Sequence, residues 1–573
     1  MTVLSVDSAR PALFLGAVLV ITAGVSASMR AVEESDSVRF VDAASESGVH
    51  FTHENGASPE KYLPETMSGG VVLFDYDNDG WLDILFVNGG SFTDKERASL
   101  ARHRLFHNKG DGTFIDATEQ AGLATSGYGM GACSADYDND GWPDLYITSV
   151  GGDRLYRNTG ANTFVDVTAR AGIHSDRWSA SCAFADIDND GDVDLYVTRY
   201  VDFTPEKNKY CPLPGIERSY CHPNEYASLT DILLRNNGNG TFTDISKESG
   251  ILQRPPGNGL GAVFADYDND GWADIYVSND STPNFLFHNK GRGVFEEVGF
   301  RAGVAMGHDG KPLAGMGVDA GDIDGNGLLD LFVANLAQET HTLYRNLGNL
   351  LFADDTFSSG IGAATLPFTG FGTALVDYDN DADLDIVVAN GHTLDNIALA
   401  RDDIPYEQLN LLLQNNGAGK FKNVAPRAGS GFAIKKVSRG LAAGDIDNDG
   451  DIDLVISNLG QTADLLRNDG GNHANALLVR TIGTRSNRDG IGTRLRLTVN
   501  GKVQITEVKA GSSYLGQNDL RAHFGLGHAR EADLLEIRWP SGNIEVFENI
   551  KANQILTVEE GKGVTSQVPF AHH

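Results

Sequence analysis

Short apolar runs separated by polar turns set the pattern of this chain. In residues 69–123 the run Val71-Val72-Leu73-Phe74 is followed by a polar loop from Asp75 to Asp83, then by a second run, Ile84-Leu85-Phe86-Val87. Arg104-Leu105-Phe106-His107 gives a third, ending at Asn108. The turn Lys109-Gly110-Asp111-Gly112 leads into a fourth, Thr113-Phe114-Ile115-Asp116-Ala117-Thr118. Four short strands bounded by Gly, Asn and Asp turns predict one antiparallel blade. The third strand returns as Leu155-Tyr156-Arg157-Asn158, Leu233-Leu234-Arg235-Asn236, Leu286-Phe287-His288-Asn289, Leu343-Tyr344-Arg345-Asn346, Leu412-Leu413-Gln414-Asn415 and Leu465-Leu466-Arg467-Asn468. The fourth returns around Phe164, Phe242, Phe295, Phe352 and Phe421. After Asn468 no such strand follows. The missing piece stands at the other end, in Arg39-Phe40-Val41-Asp42-Ala43-Ala44. The sequence therefore predicts an all-β fold, a seven-bladed β-propeller over 38–470, closed by an N-terminal strand that completes the last blade. Closure removes the sheet edges an open array would expose.

The polar loop between the first two strands follows one consensus, Asp-x-Asp-x-Asp-Gly-x-x-Asp, in copies starting at Asp75, Asp136, Asp186, Asp266, Asp322, Asp377 and Asp445. The starts lie 61, 50, 80, 56, 55 and 68 residues apart, a repeat of variable length. Positions one, three, five and nine supply carboxylates to one point, and oxygen shells of this kind suit a hard cation. The candidate ligands are Asp75, Asp77, Asp79 and Asp83; Asp136, Asp138, Asp140 and Asp144; Asp186, Asp188, Asp190 and Asp194; Asp266, Asp268, Asp270 and Asp274; Asp322, Asp324, Asn326 and Asp330; Asp377, Asp379, Asp381 and Asp385; and Asp445, Asp447, Asp449 and Asp453. Without an ion, carboxylates about 4 Å apart repel by roughly 4 kcal/mol per pair at an effective dielectric of 20. Magnesium demands stricter octahedral geometry, so the expected cofactor is calcium, up to seven ions, in a structural role. Two copies depart from the pattern, with Asn326 for the third Asp and Ala382 for Gly, and these two are expected to bind most weakly.

Strand order places the acidic loops and the Asn-x-Gly turns on one side of the ring. The longer, irregular connections fall on the other, where a ligand is to be sought. The connection 199–231 carries Tyr200, Phe203, Tyr210, Tyr220, His222 and Tyr226 around Cys211 and Cys221. It can stack on a sugar or peptide, or fold over the mouth of the ring as a lid. The same face holds His53, Glu54, Glu65, His174, Trp178, His308, His392 and Asp395. His392 with Asp395 is a conceivable acid–base pair, and Glu54 with Glu65 a conceivable carboxylate pair. Solvated or turn-stabilising roles are the alternative for each. No nucleophile elbow, phosphate loop, Cys/His zinc cluster or haem motif is present, so the catalytic residues are unknown and no organic cofactor is expected.

Composition narrows the setting. The 573 residues carry a formal charge of −33, which excludes a phosphate-binding nucleic-acid protein. At the four motif positions six loops carry four Asp and one carries three, 27 of the 78 acidic side chains, and seven calcium ions would bring the charge to −19, so the acidity is mainly a metal signature. The apolar run 11–27 after Arg10 reads as a secretory signal peptide (1–27), with an uncleaved anchor as the alternative. Nothing else in the sequence is long and apolar enough to span a bilayer. A secreted or periplasmic location follows, where Cys211 and Cys221 can close a disulfide. Cys133 and Cys182 precede their acidic loops by different offsets, so their side chains are expected on opposite faces, as free core thiols.

From about Asn475 the repeats stop, and new strand-like runs at Ala476–Arg480, Arg494–Val499, Val503–Val508, Leu534–Trp539, Ile544–Phe547 and Ile555–Val558 predict a small C-terminal β domain over 475–560, followed by a tail, 561–573. Asn487-Arg488-Asp489-Gly490-Ile491-Gly492, His523-Phe524-Gly525-Leu526-Gly527 and Trp539-Pro540-Ser541-Gly542 resemble the ASPIC/UnbV domain. The acidic loops resemble the FG-GAP/VCBS type of integrin α-chain propellers, although the Phe-Gly-Gly-Ala-Pro signature is not spelled out. Together they resemble the cartilage acidic protein 1 family across nearly the whole mature chain. That resemblance implies an exported calcium-binding propeller. The function expected is a binding or adhesion-type module for an extracellular glycan, peptide or protein, through the loops opposite the calcium loops. The alternatives are a calcium-dependent enzyme (hydrolase, lyase or cyclase) on the same face, and a passive matrix role.

Overall fold

The computed structural model describes residues 38–571, so the expected signal peptide lies outside the described residues. Seven four-stranded antiparallel sheets form first. In the first blade they run Val71–Phe74, Asp83–Phe86, Arg104–Asn108 and Phe114–Asp116, innermost to outermost. The first three of these are almost wholly buried because blades pack face to face, which is why their apolar runs show no inside–outside alternation. The outermost strand buries only its Phe. The innermost strands touch their neighbours in a closed cycle from the first blade to the seventh and back. Arg39–Asp42 pairs antiparallel with Asp464–Asp469, Phe40 opposite Asn468, and so completes the seventh blade from the N-terminal end. No helix among the described residues is long and apolar enough to cross a membrane.

Both pairs of cysteines are bonded. Cys211–Cys221 braces the long connection, as the sequence allows. Cys133–Cys182 is also a disulfide, against the expectation of free thiols. Opposite faces are what this bond needs. The two residues lie on the inner strands of the second and third blades, Gly129–Ala135 and Ser179–Ala185. Adjacent blades meet through opposite faces of their sheets, so the offset that separates side chains within a single sheet brings these together.

The C-terminal segment folds into two further four-stranded sheets. One orders Ala522–Gly527, Asn475–Ile482, Gln554–Glu559 and Gly563–Pro569; the other orders Lys502–Glu507, Arg494–Val499, Glu531–Arg538 and Ile544–Lys551. Residues 563–569, expected as tail, are an edge strand.

This domain sits on the acidic-loop side of the ring and sends residues 509–520 down the central channel. The Phe184 N–H donates to the Ala510 carbonyl, 2.8 Å, and Ser513 and Val318 exchange backbone bonds at 2.7 and 3.1 Å. Ser513 Oγ accepts from the Thr373 N–H and donates to the Leu441 carbonyl. The Leu515 N–H donates to Ser181 Oγ, and Gln517 pairs with Val71 and Leu73. The Ala132 N–H donates to the Leu515 carbonyl as well, so six of the seven inner strands are hydrogen-bonded to one inserted loop. Gly131 makes the fit possible: a Cβ there would lie 2.7 Å from Leu515 Cα. The channel is a solid hub.

Candidate metal centres and the closed ends of the channel

Each acidic loop is built by its own aspartates before any ion is considered. In the first, Asp75 accepts the Asp79 and Gly80 N–H groups with its two oxygens, each at 3.0 Å. Asp83 accepts from Tyr76 (3.0 Å) and, across the sheet, from Asn108 (2.8 Å). Asp79 accepts from Trp81. The fourth-position Asn78 takes a left-handed φ of 57°, which Asn tolerates better than most residues, and the loop then turns at Gly80 with φ 92°. The third-position aspartate stands apart from this scaffolding. In five blades one of its oxygens is buried without any hydrogen-bond partner: Asp77, Asp138, Asp188, Asp268 and Asp379, each at Oδ1.

Ligand atoms of Asp75, Asp77 and Asp83 lie within 4.8 Å of one another, as do those of Asp136, Asp138 and Asp144 and of Asp186, Asp188 and Asp194. Burial, then crowding by like charge, pushes the carboxyls up: Asp75 to about 6 and Asp186 to about 7. Burial drives Asp83 to about 7, and burial with the facing Asp489 drives Asp136 to about 8. An anionic cage with an unpartnered oxygen at the same position, as five of the loops have, fits a hard cation.

In five blades the residue before the third-strand Asn closes the cage from the side. His107 Nδ1 is 3.2 Å from Asp83 and 3.5 Å from Asp77; His288 is 3.1 Å from Asp274. Gln414 donates to Asp379 at 2.8 Å. Arg157 is paired with Asp138 and Asp140. In the fifth loop, Arg345 lies 2.9 Å from Asp324, and Asp324 is exposed. That loop, with Asn326, is the poorest cage. The sixth is different. Ala382 is held at φ 73°, a strained value for a residue with a Cβ, yet Asp379 Oδ1 and Asp385 Oδ2 are both left unpartnered.

Two belts of asparagines, neither of them expected from the sequence, tie the cages together. The Asn ending each third strand donates to the second-position carbonyl of the preceding loop: Asn158 to Tyr76, Asn236 to Tyr137, Asn289 to Ile187, Asn346 to Tyr267, Asn415 to Ile323, Asn468 to Tyr378, and Asn108 to Ile446 to close the ring. The fourth-position Asn runs the other way, to the sixth-position carbonyl of the next loop: Asn78 to Gly141, Asn139 to Gly191, Asn189 to Gly271, Asn269 to Gly327, Asn380 to Gly450 and Asn448 to Gly80. This second belt lacks one clasp, because Gly325 stands where the fifth loop would carry Asn. The signal was in the sequence, as an Asn at the same two places of nearly every repeat.

On the opposite side the long connection lies across the ring. Asn208 and Arg218 each donate to the Glu60 carbonyl, at 2.7 and 2.6 Å, and Asn396 donates to the Arg218 carbonyl at 2.8 Å. A segment leaving the third blade thus reaches the connections around the first and sixth blades. Trp178 is 1% exposed and packs against Tyr200 and Phe203, so it belongs to an apolar core under this strap and not to an open ligand face. Tyr220 is likewise buried, its hydroxyl donating to Glu65 at 3.2 Å, and burial raises Glu65 to about 7.

Neither conceived acid–base pair forms a bonded unit. His392 is buried, accepts the Leu394 N–H and is pushed down to about 4 by burial and Arg439, while Asp395 is paired with Lys61 at 2.5 Å. Glu54 is paired with Arg97, and Glu65 accepts from Ser58 and Tyr220. His53 is buried and lowered to about 3 by burial and Arg439. His174 and His308 are exposed. Of the six aromatic and histidine side chains of the connection 199–231, Tyr210 and His222 remain in solvent, while Tyr200, Phe203, Tyr220 and Tyr226 are buried. Arg218 lies over the Tyr210 ring, 5.7 Å from its centre. His523 packs in the small domain, its Nε2 3.4 Å from the Gly450 carbonyl.

Residues 75–147, 136–197, 227–277, 266–333 and 322–388 match the FG-GAP-like repeat, and residues 483–565 match the ASPIC and UnbV family. The protein is an FG-GAP repeat protein with an ASPIC and UnbV domain. It is related to cartilage acidic protein 1: 29% identical to that of Homo sapiens over 328 residues, and 28% identical to that of Mus musculus over 331 residues. The matches cover 55% of this chain and 46% and 47% of those proteins, so the chain spans about half the length of the curated relatives it matches. Among solved structures, an Agrocybe aegerita lectin described for recognition of non-reducing terminal N-acetylglucosamine is similar at 17% identity and TM-score 0.39, covering 69% of this chain and 87% of that one. BBS1N in complex with ARL6DN is similar at 11% identity and TM-score 0.39, covering 74% and 96%. Likeness at this level carries no functional argument.

Proposed function

We propose that this chain is an exported calcium-binding propeller that serves as a binding module for an extracellular glycan, peptide or protein. The observation that carries the calcium reading is the set of five third-position carboxylate oxygens, buried, equivalent and without a partner. A hard divalent ion meets each of them and the surrounding charge at once, whereas a protein without ions would leave them desolvated and repelling. Export is supported by two disulfides, Cys133–Cys182 and Cys211–Cys221.

The binding reading draws on the strap. Its disulfide holds a two-stranded hairpin, Cys211–Leu213 with Ile216–Ser219, at the surface opposite the cages. Tyr210 and Leu213 are exposed there beside Leu399 of the sixth blade. A braced, partly aromatic surface suits contact with a broad partner.

The test joins both halves. The calcium-loaded protein is incubated, substoichiometrically, with extracellular polymers and peptides from its source, and retained and transformed species are followed by mass spectrometry. A compound retained unchanged in calcium and released by EDTA supports the reading. A mass-shifted product formed over many turnovers would make the protein an enzyme. In parallel, EDTA should lower the melting temperature and calcium should restore it; an unchanged melt removes the metal from the account.

A further inference from the structure

The seventh side chain of each acidic loop points away from the loop's own cage, toward the turn between the third and fourth strands. An added Cβ at Gly110 would meet Trp81, at Gly160 Trp142, at Gly238 Asp192, at Gly417 Asp383 and at Gly471 Asp451. In three blades this outward side chain is therefore an aspartate. Two of the three are answered by the chain itself: Asn139 donates to Asp192 at 2.8 Å, and Lys502 lies 2.5 Å from Asp383. Asp451 is the exception. It is fully buried, its Oδ2 accepts the Asn472 N–H at 3.1 Å, and its Oδ1 has no partner.

A second unpartnered oxygen stands at the same joint. Asn380, of the sixth loop, is also fully buried. Its Nδ2 donates to the Gly450 and Gly471 carbonyls, each at 3.0 Å, the residues that flank Asp451 in sequence and in space. Its Oδ1 has no partner. Turning the amide over would set that oxygen against two carbonyls, so the orientation is fixed by its surroundings. The C-terminal domain covers the joint: the Gly527 N–H donates to the Asn380 carbonyl at 2.8 Å, and a Cβ at Gly450 would lie 2.4 Å from the Phe570 ring. The nearby cations are engaged elsewhere, Arg467 with Asp469 and Arg521 with Asp519.

We propose that a hard, oxygen-seeking divalent cation, calcium in the proposed setting, binds between Asp451 Oδ1 and Asn380 Oδ1. It would be additional to the ion of the seventh loop and would lock the sixth blade to the seventh under the C-terminal domain. A buried carboxylate oxygen and an amide oxygen without a donor are the ligand types such an ion takes.

Native mass spectrometry in calcium tests this by counting ions. Asp451→Ala should carry one calcium fewer than the wild-type chain. Asp447→Ala, which strips a ligand from the seventh cage, should lose a different one, and the double variant should lose two. Asp192→Ala and Asp383→Ala should keep the wild-type count. Should Asp451→Ala fail to fold, Asn380→Gly removes the second oxygen while keeping the left-handed backbone, and should also lose one ion. An undiminished count in these variants overturns the proposal, since a water or a proton shared with Asp449 then fills the space. A double variant that loses only one ion overturns it too, by making Asp451 a support of the seventh cage. Long-wavelength anomalous scattering from calcium-grown crystals should show a peak at this joint, and a water-like peak there would refute the site.

Discussion

Replacing Tyr514 asks whether the inserted loop is the hub of the ring or an ornament in its channel. The side chain is fully buried at the inner end of the insertion; its hydroxyl donates to the Met67 carbonyl at 2.5 Å, and its ring meets Phe371 edge-on at 4.9 Å. Tyr514→Phe removes only the donor and strands a buried carbonyl, which costs about 1–3 kcal/mol. Tyr514→Ala also empties the ring's volume in a place walled by backbone that cannot collapse, and a deletion of that size costs about 3–5 kcal/mol. In a chain this large each kcal/mol lowers the melting temperature by only about 1 °C, so the Ala variant should melt roughly 3–5 °C lower. Differential scanning calorimetry in excess calcium is the assay. The hub is hydrogen-bonded to six blades and belongs to the C-terminal domain, so the loss should appear in one shared transition. Two resolved transitions, with the propeller's unmoved by Tyr514→Ala, would refute the hub.

The asparagine belt and the small domain give two further tests. Gly325→Asn supplies the missing clasp at a backbone φ of 70°, in open space, where six sister loops carry Asn; it should stabilise the chain by about 0.5–1 kcal/mol, and a lowered melting temperature would show that the belt bears no strain there. Glu560 is pushed up by burial but accepts the Thr484, Arg485 and Ser486 N–H groups and the Ser541 hydroxyl, which together bring it down to about 2. A carboxyl lowered from 4.5 to about 2 stabilises the fold by roughly 3 kcal/mol above pH 4.5, and that stability is lost as pH falls toward 2. The melting temperatures of Glu560→Gln and wild type should therefore differ most near pH 6 and converge in acid; a pH-independent gap would contradict the assignment.

The ring was legible because its markers recur: an aspartate loop, an Asn-ended strand and a Phe strand in register, with one strand missing at one end and present at the other. Phe40 opposite Asn468 is that inference realised. The Cys133–Cys182 bond was misread because parity within a sheet was applied to residues in two sheets. The hub was illegible for a different reason. Residues 509–520, Lys-Ala-Gly-Ser-Ser-Tyr-Leu-Gly-Gln-Asn-Asp-Leu, have no strand or helix period. Most of their partners in the ring are seventy to several hundred residues away, and sequence pattern reports only local order. The aromatic strap showed the converse limit: Tyr200, Phe203 and Trp178 look alike as ligand platform or as core until burial decides.

Placing the C-terminal domain on the cages, and not on the opposite face, makes its docking depend on what the cages hold. The Asp136 N–H donates to Asp489 Oδ2 at 2.7 Å, and the Asp266 N–H to Glu507 Oε2 at 3.1 Å. Each contact sets a carboxylate of the domain against the first aspartate of a cage. Asp489 is the second cause, after burial, of the raised Asp136, and Glu507 stands in the same relation to Asp266. A divalent ion cancels two of the four negative charges of each loop and so weakens the repulsion on the facing carboxylate; without one, two anions are pressed together, at roughly 4 kcal/mol for a 4 Å separation and an effective dielectric of 20. The repulsive part of the docking term thus shrinks with metal. Asp489→Asn keeps an oxygen for the Asp136 N–H and removes the charge. It should raise the melting temperature more in EDTA than in calcium, narrowing the gap between the two conditions. A shift of the same sign and size in both would mean that Asp489 answers only to its hydrogen bond and that docking is indifferent to the ion.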